Sequence, residues 1–156
     1  MLNAAEKLFL KKGYYLTTMD EIAKKSEFSK PTVYNYFMSK EDIAKHIHLK
    51  FLSGRIDFFK NAMKEISDPY DKLFAFGISY YEYANMHKDQ FRFQLTWDSY
   101  ISKEHKVSKE VQNKIKELND DIGSVIKEAT NSLVNKDTIH REFDLHSTMV
   151  SFYASL

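Results

Sequence analysis

The chain has no cysteine, only two prolines and four glycines in 156 residues, and no stretch without Asp, Glu, Lys or Arg longer than Leu145 to Leu156. Without cysteine there is no disulfide framework and no thiolate metal site, which fits a reducing compartment. The uncharged run, which includes His146, falls far short of the roughly 20 apolar residues that span a bilayer. The start, Met-Leu-Asn-Ala-Ala-Glu-Lys, lacks the charged-then-apolar order of a secretion signal. The cytoplasm is the expected location, with no membrane contact. Gly-rich phosphate loops, nucleophile elbows and paired-carboxylate signatures are also missing, so no enzyme is expected. Histidines at 46, 48, 87, 105, 140 and 146 include no pair at i, i+4 spacing. Neither a metal site nor a cofactor is expected.

Scarce proline and glycine, abundant Leu, Lys, Glu and Ala, and no sustained strand alternation leave an all-α fold. The net charge of +1 conceals a split. Residues 1–64 hold 12 Lys and Arg against 7 Asp and Glu, a balance of +5, and residues 65–156 hold 11 against 15, a balance of −4. A basic first part attached to an acidic second part suits a phosphate-facing module joined to one that need not touch DNA.

The most informative stretch runs from Thr18 to Lys40, TMDEIAKKSEFSKPTVYNYFMSK. Thr18 and Glu21 are spaced as a capping box, which fixes the start of a short helix whose apolar face is Met19, Ile22 and Ala23. Ser26-Glu27-Phe28 interrupts the pattern. Ser29 then caps a second short helix with Pro31 in its first turn, where a missing N–H costs nothing. Val33 and Phe37 point inward, and Lys30, Thr32, Tyr34, Asn35 and Tyr36 face outward or sideways. Ser39, with an acid three residues on, starts a third helix at once. A short helix with polar and aromatic groups exposed, braced by a capped helix at a tight turn, is the helix-turn-helix that places a recognition helix in the major groove. Hydroxyls, lysines and helix N-terminal N–H groups suit phosphates, while Asn35 can pair with adenine and Lys30 with guanine.

In order, spacing and residue type, Thr17-Thr18, Ile22-Ala23, Ser29-Lys30-Pro31-Thr32-Val33-Tyr34-Asn35-Tyr36-Phe37 and Ser39-Lys40-Glu41 resemble the N-terminal motif of TetR-family transcriptional regulators. The resemblance covers about the first third of the chain. It implies phosphate contact from Thr18, Tyr34, Tyr36 and Lys40, and base or phosphate contact from Ser29, Lys30, Thr32 and Asn35. Two positions depart from the common pattern: Pro31 replaces a frequent glycine, and Glu27 stands where glycine often makes the turn. The resemblance also implies a dimer on palindromic double-stranded operator DNA, released by a small-molecule effector, and a four-helix dimer interface from the last two helices of each subunit. Only the first of those two is present, and no arm precedes the first helix, so a longer natural protein is expected.

Beyond the motif, apolar spacing predicts helices over residues 1–12, 40–66, 70–87, 88–101, 109–133 and 141–156, with Ser67-Asp68-Pro69 as the clear break. The helix over 70–87 is apolar nearly all round and reads as interior. The expected division is a helix-turn-helix head, residues 1–46, and a helical effector-binding and dimerisation bundle, residues 47–156, with the last helix of the bundle missing. Phe59, Phe76, Tyr80, Tyr81, Tyr83, Phe93, Trp97 and Tyr100 read singly as core, but as a set they bring enough polar handles to line a pocket for an apolar or aromatic ligand. An alternative keeps the DNA-binding head and makes the bundle a surface for a protein partner.

Overall fold

The computed structural model describes residues 1–98 and 107–135, which form seven helices and no strand: α1 Leu2–Lys12, α2 Met19–Ser26, α3 Lys30–Tyr36, α4 Lys40–Met63, α5 Pro69–Met86, α6 Lys88–Asp98 and α7 Lys109–Asn135. The all-α expectation holds. The helix expected over 141–156, and Tyr100, lie outside the described residues.

Local chemistry sets the helix ends. The Glu21 N–H donates to Thr18 Oγ1 at 3.2 Å while Glu21 Oε2 accepts from the Thr18 N–H at 2.9 Å, so the capping box is closed in both directions. Ser29 Oγ accepts from the Thr32 N–H at 3.2 Å, and Ser39 Oγ from the Asp42 N–H at 3.1 Å. At α5, Asp68 Oδ1 accepts from Tyr70 and Asp71, and Pro69 occupies the first turn. The fourth helix stops at Met63 rather than Ile66, because the Lys64 and Ile66 amides turn back to the carbonyls of Asn61 and Met63 and tighten the end.

Two buried clusters stand along α4. The first gathers Ala5 and Phe9 of α1, Met19, Ile22 and Ala23 of α2, Val33 of α3, Phe37, and Ile43, Ala44, Ile47 and Phe51 of α4. The second gathers Phe59 and Met63 of α4, Phe76, Tyr80, Tyr83 and Ala84 of α5, Phe91 of α6 and Ile126 of α7. Helix α6 serves both: Phe91 enters the second cluster, whereas Phe93, on the opposite side of the helix, stacks on Phe9 at 5.6 Å and meets Phe51 edge-on at 6.1 Å. A head of three short helices is thus sealed by a residue from the second half of the chain.

Helix α5 departs from the interior reading. Phe76, Tyr80, Tyr83 and Ala84 are buried, but Tyr70, Phe74, Ile78 and Tyr81, spaced by four, four and three, leave 46–62% of their surface exposed. Its second apolar face is therefore a stripe on the surface. Helix α7 begins beside the start of α4 and runs the same way, with Ser108 at Asp42 and the Asp121 carboxylate paired to Lys60 further along.

Candidate nucleic-acid interface

Helix α3 is held by only a few anchors. Val33 is fully buried and Phe37 nearly so, and both sink into the first cluster from the same side of the helix. Ser29, Lys30, Pro31, Tyr34, Asn35 and Tyr36 are exposed, and Thr32 is partly so. Tyr36 leaves 70% of its surface in solvent and Tyr34 47%, so both rings are open to a partner. Lys30 Nζ lies 3.0 Å from an Asp20 carboxylate oxygen on α2, an exposed pair whose small net worth leaves the lysine able to exchange it for a phosphate or a base edge.

The face predicted from the sequence is thus assembled around Ser29, Lys30, Tyr34, Asn35 and Tyr36, with Thr18 exposed at the start of α2. Thr18 also has a structural task, since its hydroxyl closes the capping box. Lys40 differs more. Its ammonium donates to the carbonyls of Tyr14 at 3.1 Å and Thr17 at 3.0 Å and lies 4.3 Å from the centre of the Tyr14 ring. Two of its three N–H groups are committed to the turn before α2, and burial lowers its pKa. Tyr14 in turn donates to Glu41, and burial with that carboxylate pushes the phenol well above its ordinary range. Lys40 therefore clamps the loop between α1 and α2 onto the start of α4.

The α2–α3 turn explains how Glu27 substitutes for glycine. Glu27 sits at φ +61°, ψ +27°, the left-handed conformation, while the Phe28 N–H reaches the Ala23 carbonyl at 3.1 Å and the Glu27 N–H the Lys24 carbonyl at 3.3 Å. This is the Schellman pattern, which glycine satisfies without steric cost. Glu27→Gly should stabilise the protein by about 0.5–1 kcal/mol and Glu27→Ala should not. Equal urea midpoints for Glu27→Gly and wild type would refute the strain argument.

The acidic partner of the capping box is also tuned. Glu21 is salt-bridged to Lys12 and accepts from Thr18, which together hold its carboxyl down at about 2. Lys12 thereby ties the end of α1 to the start of α2.

The aromatic residues expected to line a ligand pocket do not form one group. Phe59, Phe76, Tyr80 and Tyr83 converge in the second cluster, with ring centres 5.1–6.3 Å apart, and Phe91 joins them. Tyr81 lies on the exposed side of α5, and Phe93 belongs to the head. Trp97 falls on α6, and Tyr100 is outside the described residues. Two open recesses lie elsewhere. One, of about 490 Å³, lies near Leu10 and residues 85–90, and the other, of about 590 Å³, lies between Leu49, Lys50 and Ser53 of α4 and Lys114, Glu117, Leu118 and Asp121 of α7.

The sequence model of bacterial regulatory proteins of the tetR family matches residues 1–47. These first 47 residues are a TetR-family N-terminal domain. The chain's similarity extends past the head in two relatives. The HTH-type transcriptional activator FasR of Mycolicibacterium smegmatis is 25% identical over 59% of this chain and 42% of that protein. PfmR of Thermus thermophilus, a TetR-family transcriptional regulator of known structure, is 28% identical with a TM-score of 0.65, covering 92% of this chain and 74% of that one. The fold is also shared by FadR of Bacillus subtilis in complex with stearoyl-CoA, at 19% identity and a TM-score of 0.65 over 93% of this chain and 75% of that one. The chain matches less than half the length of FasR. Among the described residues no group of His, Asp and Glu could hold a metal ion, and no helix is long and apolar enough to cross a membrane.

Asp42 is the residue that sequence reasoning missed. Its only local signal is that of an acid following the Ser39 cap, yet it is 2% exposed and accepts from the Met38 N–H and the Ser108 N–H, each at 3.0 Å. The second donor is 66 residues away, beyond any local signal.

Proposed function

We propose that this chain is a TetR-family DNA-binding transcription regulator, a repressor acting as a homodimer on palindromic operator DNA in the cytoplasm. The supporting observation is the exposed face Ser29, Lys30, Tyr34, Asn35 and Tyr36 on a helix capped at its start and anchored by Val33 and Phe37. Such a helix can enter a major groove without rearranging its own core. Thr18, Thr32, Tyr34 and Tyr36 supply phosphate contacts, Lys30 and Asn35 base contacts, and Lys40 retains one N–H for a phosphate while holding the adjacent turn. The working division is a head of residues 1–46 and a regulatory bundle of residues 47–156. No catalytic step enters this reading.

On DNA selected by the wild-type protein, Asn35→Ala should weaken binding by about 1–3 kcal/mol and relax the preference at one base pair of each half-site. A variant that keeps both affinity and preference would remove Asn35 from the base-reading set.

The effector in this reading is a small apolar or aromatic molecule held by the bundle, as suggested by the fold shared with FadR, whose structure contains stearoyl-CoA. A second reading, a protein partner on the bundle, is favoured by the stripe of Tyr70, Phe74, Ile78 and Tyr81. Thermal unfolding with and without stearoyl-CoA separates them. A concentration-dependent rise in Tm supports an acyl effector. No rise, together with partner capture lost in Phe74→Glu, supports the second.

A further inference from the structure

The buried Asp42 carboxylate is shared between two parts of the protein that are far apart in sequence. Oδ2 accepts the backbone N–H of Met38, two residues past the end of α3, and Oδ1 accepts the backbone N–H of Ser108, directly before α7. A carboxylate removed from water needs such donors, and charge-assisted bonds of this kind are stronger and more directional than neutral ones. The same side chain stands in the first turn of α4, where the Ser39 hydroxyl receives the Asp42 N–H. His46, one turn on, puts Nδ1 3.7 Å from Oδ1 and sets its ring edge-on to Phe37 at 5.2 Å. Phe37 is the residue that closes α3.

We propose that Asp42 is a positioning residue that lets the start of α7 set the exit of the recognition helix. A shift of α7 along α4 withdraws the Ser108 N–H, the carboxylate turns to recover a donor, and the Met38 N–H with the Phe37 backbone follows. The route is independent of Phe93, which joins α6 to the head through apolar packing. Its regulatory meaning rests on the DNA-binding reading, but the link itself does not.

Two variants isolate the link. Ser108→Pro removes the N–H, and Ser108→Gly keeps it while removing the same hydroxyl, with glycine nearly as good as serine at a helix start. Amide hydrogen exchange should show Met38 and the last amides of α3 exchanging about tenfold faster in Ser108→Pro than in Ser108→Gly, with Ile22 in α2 equally protected in both. On duplexes selected by the wild type, Ser108→Pro should bind about tenfold more weakly than Ser108→Gly. Equal exchange at Met38 in the two variants overturns the proposal. So does faster exchange spread equally over Ile22, which would mark general loosening of the head. Faster exchange confined to the end of α3 in a protein that selects no DNA supports the link and removes the DNA-binding reading instead.

Discussion

Phe93→Ala should destabilise the protein by about 3–5 kcal/mol, a large part of the roughly 5–15 kcal/mol that holds a domain folded. Phe93 is 4% exposed, and its ring fills the space between Phe9 of α1 and Phe51 of α4. Truncation loses the transfer free energy of the ring and leaves a cavity lined by two other rings that lie on different helices and cannot both close in. The head feels the loss although the mutation is in α6, because three short helices bury little surface by themselves and residue 93 completes their cluster. Urea unfolding followed by circular dichroism measures the effect. Phe93→Leu, which keeps most of the volume, should cost no more than about 1.5 kcal/mol. A loss below about 1 kcal/mol for Phe93→Ala would mean that the head is complete without α6.

The second large effect is on pH dependence. His48 on α4 is 7% exposed, and burial, followed by the charges of Arg55 and Lys45, lowers its pKa from 6.5 to about 4. Between these values the unfolded chain binds a proton that the folded protein does not. Stability is therefore full above about pH 6.5 and falls as the pH drops toward 4, by about 3 kcal/mol over that window. His48→Met should lack this component, so the wild-type unfolding free energy minus that of the variant should fall by about that amount from pH 7 to pH 4. A constant difference would show that the imidazole finds compensation for its charge inside the protein. Glu21 acts in a lower window: its carboxyl, held at about 2 by Lys12 and Thr18, gives stability that is present above about pH 4.5 and is lost as the pH falls toward 2.

The features legible in the sequence are those with short-range causes. Thr18 with Glu21, Ser29 with Thr32, and Ser39 with Asp42 each close within three residues, so the starts of α2, α3 and α4 follow from the order of side chains. Val33 and Phe37 follow from helical spacing, and the outward set on α3 is what remains. Glu27 interrupts the helical pattern in the sequence, and its positive φ gives the physical reason that glycine suits the position.

Other features depend on where distant residues meet. The resemblance implies a phosphate contact for Lys40, but not the structural task its ammonium also has, donating to carbonyls 23 and 26 residues earlier, a contact with no local pattern. Tyr80 and Tyr81 are neighbours in sequence and fall in one aromatic set, yet a helix turns by about 100° per residue, and one is buried while the other is exposed. Phe91 and Phe93 separate into different clusters for the same reason. Periodicity shows which residues share a face, but not which of two apolar faces on α5 meets the core.

In the proposed function, α3 reads DNA through Lys30, Asn35 and Tyr36. Selection from a pool of random duplexes, run in parallel with wild type and with a Lys30→Ala, Asn35→Ala, Tyr36→Ala variant shown to be equally folded, tests it most directly. The wild type should enrich a palindrome with half-sites about 10–10.5 base pairs apart, or a multiple of that spacing, and the variant should enrich nothing. Failure of the folded wild type to enrich any sequence, or recovery of the same palindrome by the variant, would contradict it.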